Sequence, residues 1–366
     1  MKRFMAMLLV LTLSGSILAG CGAPKETAGD DNTPPAVNEQ KPAENEAVEG
    51  QMAKIGLGHI TSIAKSKDLE GEKAPVGQVD TVMVAAGFDK DGKVIKVTID
   101  TAQTKVEFDK DLQVTTDVAQ NGKTKVELGE EYGMKKASQI GKEWFEQAAA
   151  LGEWMVGKTV EEIKAMELKD GKATDAELAS SVTVSVGDYI AAVEEAYNNA
   201  IEIGNGAVKL GLGTEISMAK SKGYSKADGK ETLPVAQVDT VMTVGAFDAD
   251  GKVVGTIIDN AQTKVQFDAE GKVTTDKNAE IKTKVELGAE YGMAKASTIG
   301  KEWFEQAKAL GEWMEGKSVD EIKSLKVKER DESHKNVPDV PELTSSVTIT
   351  VESYIATIEE ALTNAK

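Results

Sequence analysis

The sequence repeats itself at long range, and that repetition limits the fold more than any other feature. Val79-Asp80-Thr81-Val82-Met83 returns as Val238-Asp239-Thr240-Val241-Met242, and the run GKEWFEQA from Gly141 returns from Gly300; both pairs lie 159 positions apart. Lys54-Ile55-Gly56-Leu57-Gly58 likewise returns as Lys209-Leu210-Gly211-Leu212-Gly213. A period this long is the length of a domain, not of a solenoid unit, so the chain is predicted to be a tandem duplication of one module. The copies are placed at residues 51–202 and 203–366, joined through the short Gly204-Asn205-Gly206. With 40% hydrophobic residues in a chain of 366, there is enough apolar material for packed cores.

Each copy reads as strands, then helices, then a closing strand and helix. Val79–Phe88 and Lys93–Ile99 are rich in β-branched residues and flank Asp89-Lys90-Asp91-Gly92, a hairpin signature that recurs at Asp248-Ala249-Asp250-Gly251. Ile140, Trp144, Ala148, Leu151 and Met155 recur at helical spacing. Thr159-Val160-Glu161-Glu162 and Ser318-Val319-Asp320-Glu321 have capping-box patterns that open short helices. The alternation Val182-Thr183-Val184-Ser185-Val186 predicts a strand, with Ser185, and Thr350 in the second copy, as N-caps of a final helix carrying Ile190, Val193 and Tyr197. The predicted fold class is α+β: two tandem homologous domains, each an antiparallel sheet with packed helices.

The N-terminus reads as an export segment over residues 1–20. Lys2 and Arg3 precede an apolar run from about Met5 to Leu18 that is too short for a stable span. It ends in Leu18-Ala19-Gly20-Cys21, which resembles the lipobox of bacterial lipoproteins. That resemblance implies acylation of Cys21 and anchoring at the outer face of the cell membrane. Residues 21–50, rich in Pro, Glu, Asp, Asn and Ala, read as a flexible tether because they have too little apolar surface to offset ordering entropy. Cys21 is the only cysteine, so no disulfide forms within the chain. The formal net charge of −18 speaks against nucleic-acid binding.

Catalytic side chains are scarce. His59 and His334 are the only histidines and do not occupy matching positions in the copies, which excludes a histidine-based triad or metal site shared by both; both are read as surface residues, and no metal site is assigned. The Asp-x-Asp-Gly turns lack the further ligands of a calcium loop and read as hairpin turns. Trp144, Trp154, Trp303 and Trp313 read as packing residues, and Tyr132-Gly133-Met134, like Tyr291-Gly292-Met293, as a helix-entry turn or as a place where glycine lets the backbone approach something flat.

The closing segment of each copy is the most informative. Glu177-Leu178-Ala179-Ser180-Ser181-Val182-Thr183 is matched by Glu342-Leu343-Thr344-Ser345-Ser346-Val347-Thr348, now 165 positions away because extra residues around His334 and Pro338 precede the second. From the residues alone two readings stand. One is a strand-to-helix junction that uses Ser and Thr for β and capping preference. The other is a hydroxyl beside the positive end of a helix, a favourable place for a phosphate.

These segments, with the domain order, resemble the FMN-binding domain family that carries covalently attached flavin, which includes two-domain extracellular electron-transfer lipoproteins of Gram-positive bacteria. In that family an FMN transferase esterifies the last threonine of Asp-x-x-Ser-Gly-Ala-Thr through the flavin phosphate. The resemblance implies covalent FMN on Thr183 and Thr348, with Ser180, Ser181, Ser345 and Ser346 in the cofactor-binding motif. Here Glu177 and Glu342 stand in place of Asp, and Ser-Val in place of Gly-Ala. The implied function is an electron carrier, not a substrate-converting enzyme. Its implied partners are the transferase, a membrane quinol-oxidising donor, and extracellular acceptors such as ferric iron. The other reading is a non-redox surface-binding or adhesion lipoprotein on the same scaffold, to which the Ser-Val departure points.

Overall fold

The computed structural model describes residues 51–366, which belong to one compact unit; the export segment, Cys21 and the tether lie outside the described residues. The fold is α+β. In the first copy, β1 (Lys54–Ser62), β2 (Val76–Phe88) and β3 (Val94–Glu107) form an antiparallel sheet in the order β3-β2-β1, and Ile201–Glu202 adds a short edge beside β1. In the second, β4 (Lys209–Ser217), β5 (Val235–Phe247) and β6 (Val253–Gln266) repeat the arrangement as β6-β5-β4. The hairpins turn where the sequence predicts. Asp89 Oδ1 accepts the N–H groups of Asp91 and Lys93 at 2.9 and 2.8 Å, and Asp248 Oδ1 does the same for Asp250 and Lys252. These Asx contacts close the turns, and Gly92 and Gly251 supply the positive φ of 81° they require.

Four longer helices cover the sheets: α1 (Trp144–Met155), α2 (Gly187–Asn198), α3 (Trp303–Met314) and α4 (Glu352–Thr363). On α1 the residues Trp144, Ala148, Leu151 and Met155 are buried, as their spacing predicts, whereas Ile140 lies in the turn ahead. Thr159 and Ser318 cap the short helices Val160–Lys164 and Val319–Lys323 with complete capping boxes.

The layers run helix, sheet, sheet, helix. Between the sheets lies one core drawn from both copies, including Ile55, Leu57, Met83, Val106 and Phe108 with Leu210, Leu212, Met242, Val265 and Phe267. Phe108 meets its counterpart Phe267 edge to face, centroids 5.2 Å apart. Two outer cores, one per copy, lie between each sheet and its helices. The central strands are thus buried on both faces, which explains why Val82–Phe88 is a continuous apolar run without polar alternation.

The closing alternation is the main departure. Val182–Val186 is not a strand. It forms no ladder, and its backbone groups bond singly: Val182 N–H to Leu178 O, and Val186 N–H to Gly171 O in the turn of the short hairpin Leu168–Ala173. The buried Val182 and Val186 act as anchors of a loop. Nor do Ser185 and Thr350 cap the last helices. The N-caps are Val186 and Val351, neither with a side-chain bond.

Candidate functional site

The loop that carries Thr183 is held against α1 by one side chain. Gln147, fully buried on α1, turns its Oε1 toward the loop and accepts both the N–H of Thr183 at 2.8 Å and its hydroxyl at 3.2 Å. The Gln147 amide group donates in turn to Ser138 Oγ and the Lys142 carbonyl. The second copy repeats every contact: Gln306 Oε1 accepts from Thr348 N and Oγ1 at 2.8 and 3.2 Å, and its amide bonds Ser297 and Lys301. The glutamine lies within the repeated GKEWFEQA run, but nothing in its local sequence marks it as the partner of a threonine 36 residues away.

The motif serines do not join this clamp. Ser180 is exposed and donates to Glu177 O, closing the helical turn Ala176–Ala179. Ser346 donates to Leu343 O, and Ser181 and Ser345 are half-buried and exposed respectively. The two copies differ in cover. Thr183 is half-buried, whereas Thr348 is only 9% exposed, and Arg330 from the inserted segment donates to its carbonyl at 2.9 Å.

Next to the clamp, Trp144 donates through Nε1 to Tyr189 Oη at 3.0 Å, as Trp303 does to Tyr354 at 3.1 Å. The Lys125 ammonium sits 4.8 Å from the Tyr132 ring centroid and 4.9 Å from that of Trp144; Lys284 is placed likewise against Tyr291 and Trp303. Burial lowers both lysines to about 8. Tyr132, Lys65, Lys105 and Lys125 line a cavity of about 380 Å³ whose cationic wall suits an anion. Trp144 and Trp303 are core residues, while Trp154 and Trp313 pack at its margin.

A second constellation, absent from the sequence reading, lies where the copies meet. His59 on β1 is buried, not a surface residue. Its Nε2 lies 2.9 Å from Glu286 Oε2, contributed by the short helix Lys284–Leu287 of the second copy, and 3.6 Å from Glu195 Oε1 on α2. Glu195 also accepts the His59 N–H at 2.9 Å. Burial pushes the imidazole down, but the bond to Glu286 and the charges of Glu195, Glu286 and Asp259 outweigh it, so its pKa is raised. His334 is half-buried and pairs with Asp331.

The equivalent position in the other half has no imidazole. Thr214 stands where His59 does, and its N–H donates to Glu360 at 2.8 Å. Burial pushes Glu360 up to about 7, with the charges of Glu127 and Asp100 acting the same way. A carboxyl whose folded pKa lies above its ordinary value of 4.5 favours the fold when protonated. That contribution is whole below pH 4.5 and is lost as the pH rises through 7. Glu360→Gln is therefore expected to stabilise the protein by about 2 kcal/mol at pH 8 and to change little at pH 4. Urea denaturation at the two pH values checks this, and a gain of equal size at both would refute it.

No family model matches the chain, and no curated protein or solved structure matches it either. Among the described residues, no helix is long and apolar enough to cross a membrane.

Proposed function

We propose that the protein is an electron carrier, held at the outer face of the cell membrane through Cys21, with one FMN esterified to Thr183 and one to Thr348. The observation that carries this reading is the threonine–glutamine clamp, built twice with the same distances. The clamp tolerates a phosphoester, because its main contact is to the threonine N–H and not to the hydroxyl. Esterification removes the threonine O–H but leaves its N–H, so Gln147 and Gln306 keep a partner and no buried acceptor is orphaned. A bound flavin supplies one- and two-electron chemistry. The chain's own part is to fix the ester oxygen on a loop pinned to a rigid helix, and to set aromatic and cationic groups nearby. The covalent link retains the cofactor outside the cell. The electron donor is then a membrane quinol-oxidising partner, and the acceptors are extracellular oxidants such as ferric iron.

Co-expression with an FMN transferase is expected to add two FMN units, less two waters, to the intact mass. Thr183→Ala and Thr348→Ala should each remove one unit, and the double variant both. Thr183 should be modified first, because Arg330 and burial cover Thr348. A double variant that remains fully flavinylated overturns the assignment. An unmodified wild type in the presence of a transferase active on other substrates favours the adhesion reading.

A further inference from the structure

The fold brings one histidine and two glutamates from three separate elements to a single point, and one half of the molecule alone has the imidazole. One ligand atom from each of His59, Glu195 and Glu286 lies within 4.8 Å of the others. Three donors bound to one tetrahedral ion would stand ~3.3 Å apart, given bonds of about 2.0–2.1 Å. The observed separations of 2.9 and 3.6 Å from the His59 nitrogen bracket that value. Thr61 Oγ1 lies 3.4 Å from Nδ1 of the ring, on the side away from the carboxylates, where it can accept an Nδ1–H and leave the Nε2 lone pair toward them. The three residues open onto a cavity of about 650 Å³ whose lining also includes Glu202, Asp259 and Glu315, so the site faces a strongly anionic space with room for a fourth, exchangeable ligand.

We infer that His59, Glu195 and Glu286 form a binding site for one divalent transition-metal ion of the zinc class at the junction of the two copies, with its open position facing the cavity. The ligand set of one imidazole and two carboxylates suits such an ion better than Mg²⁺, which keeps its waters and favours oxygen alone. The other half gives the internal comparison. There Glu360 and Glu127 occupy the corresponding places and Thr214 replaces the histidine. The scaffold thus accommodates its pair of carboxylates without an imidazole, and His59 is not a requirement of the fold. The metal site does not depend on the flavin reading: neither Thr183 nor Thr348 contributes a ligand, and failure of either proposal leaves the other standing.

The test is titration of the untagged, chelator-treated full chain with ZnCl₂ and, separately, MgCl₂ by calorimetry. One equivalent of zinc is expected to bind, with magnesium at least 100-fold weaker. His59→Thr installs the residue found at the matching position of the other copy, and should weaken zinc at least 100-fold. Glu286→Gln, at a partly exposed position, is expected to weaken it at least 10-fold and serves if His59→Thr does not fold. A wild type that takes up no zinc, or a folded variant of either kind that binds it as the wild type does, overturns the assignment.

Discussion

Gly58→Ala is expected to destabilise the protein by about 4 kcal/mol, a large part of the roughly 5–15 kcal/mol available to a folded domain. The reason is the path of α2 across β1. A Cβ placed on Gly58 would stand 1.8 Å from the carbonyl oxygen of Ala192, and one on Gly56 would stand 1.8 Å from that of Ala196. Both obstacles are helix backbone, which cannot rotate aside as a side-chain tip can. To admit the methyl group, α2 would have to lift from the sheet, opening the contacts of Ala192, Val193 and Ala196 and pulling Glu195 from the His59 N–H. The second copy is built the same way: Gly211 and Gly213 face the carbonyls of Ala361 and Thr357 at 1.8 and 1.9 Å, so Gly213→Ala should cost about as much and the double variant should not fold. Gly187→Ala is the control. It lies in the first turn of α2 with nothing within 4 Å of a Cβ, and should be neutral or mildly stabilising. Denaturant unfolding of the three single variants decides the matter; a Gly58→Ala loss below about 1 kcal/mol would show that the helix is not seated on these glycines.

The same glycines show what could be read in advance. Lys54-Ile55-Gly56-Leu57-Gly58 is conspicuous as half of a repeated string, yet two glycines in five residues weaken its appearance as a strand. Their role depends on a helix some 130 residues later, which no local pattern announces. The hairpins, the α1 face and the capping boxes were legible because each is specified within about a dozen residues. The closing Val182–Val186 run misled for the converse reason. Its alternation fits a strand, but the segment joins no ladder, and the chain instead uses the buried valines to fasten a loop. His59 was misread as a surface residue because its chief partner, Glu286, lies 227 positions away in the other copy. Of the candidate site, the threonines were visible through repetition, whereas Gln147 and Gln306 became visible only once α1 and α3 were set beside the closing loops.

Separating the copies is expected to have an effect as large as the glycine substitution, and of a different kind. Residues 51–203 alone would present the inner face of their sheet to water. Ten buried apolar residues of the first copy belong to the central core, from Met52 and Ile55 to Val106 and Phe108. At about 1.5–3 kcal/mol for each large side chain buried, uncovering them removes more than a domain's whole margin of stability. The first copy alone should therefore not persist as a folded monomer, but should pair through this face with a second molecule of itself. The face is suited to self-pairing, since equivalent residues already meet across it. Phe108 lies against Phe267, and a Cβ on Gly77 would stand 2.3 Å from that of Ala236, the residue in the matching position. A pair of first copies would set Gly77 against Gly77 and keep the close approach. A pair of second copies would set Ala236 against Ala236, which the observed spacing does not admit, so residues 204–366 should associate poorly or aggregate. When both fragments are produced together, one of each should combine in preference to either self-pair, because only that combination restores the glycine–alanine contact. Size-exclusion chromatography with light scattering distinguishes these species. A first-copy fragment that runs as a monomer and unfolds cooperatively would mean that the central core is not what holds each half together.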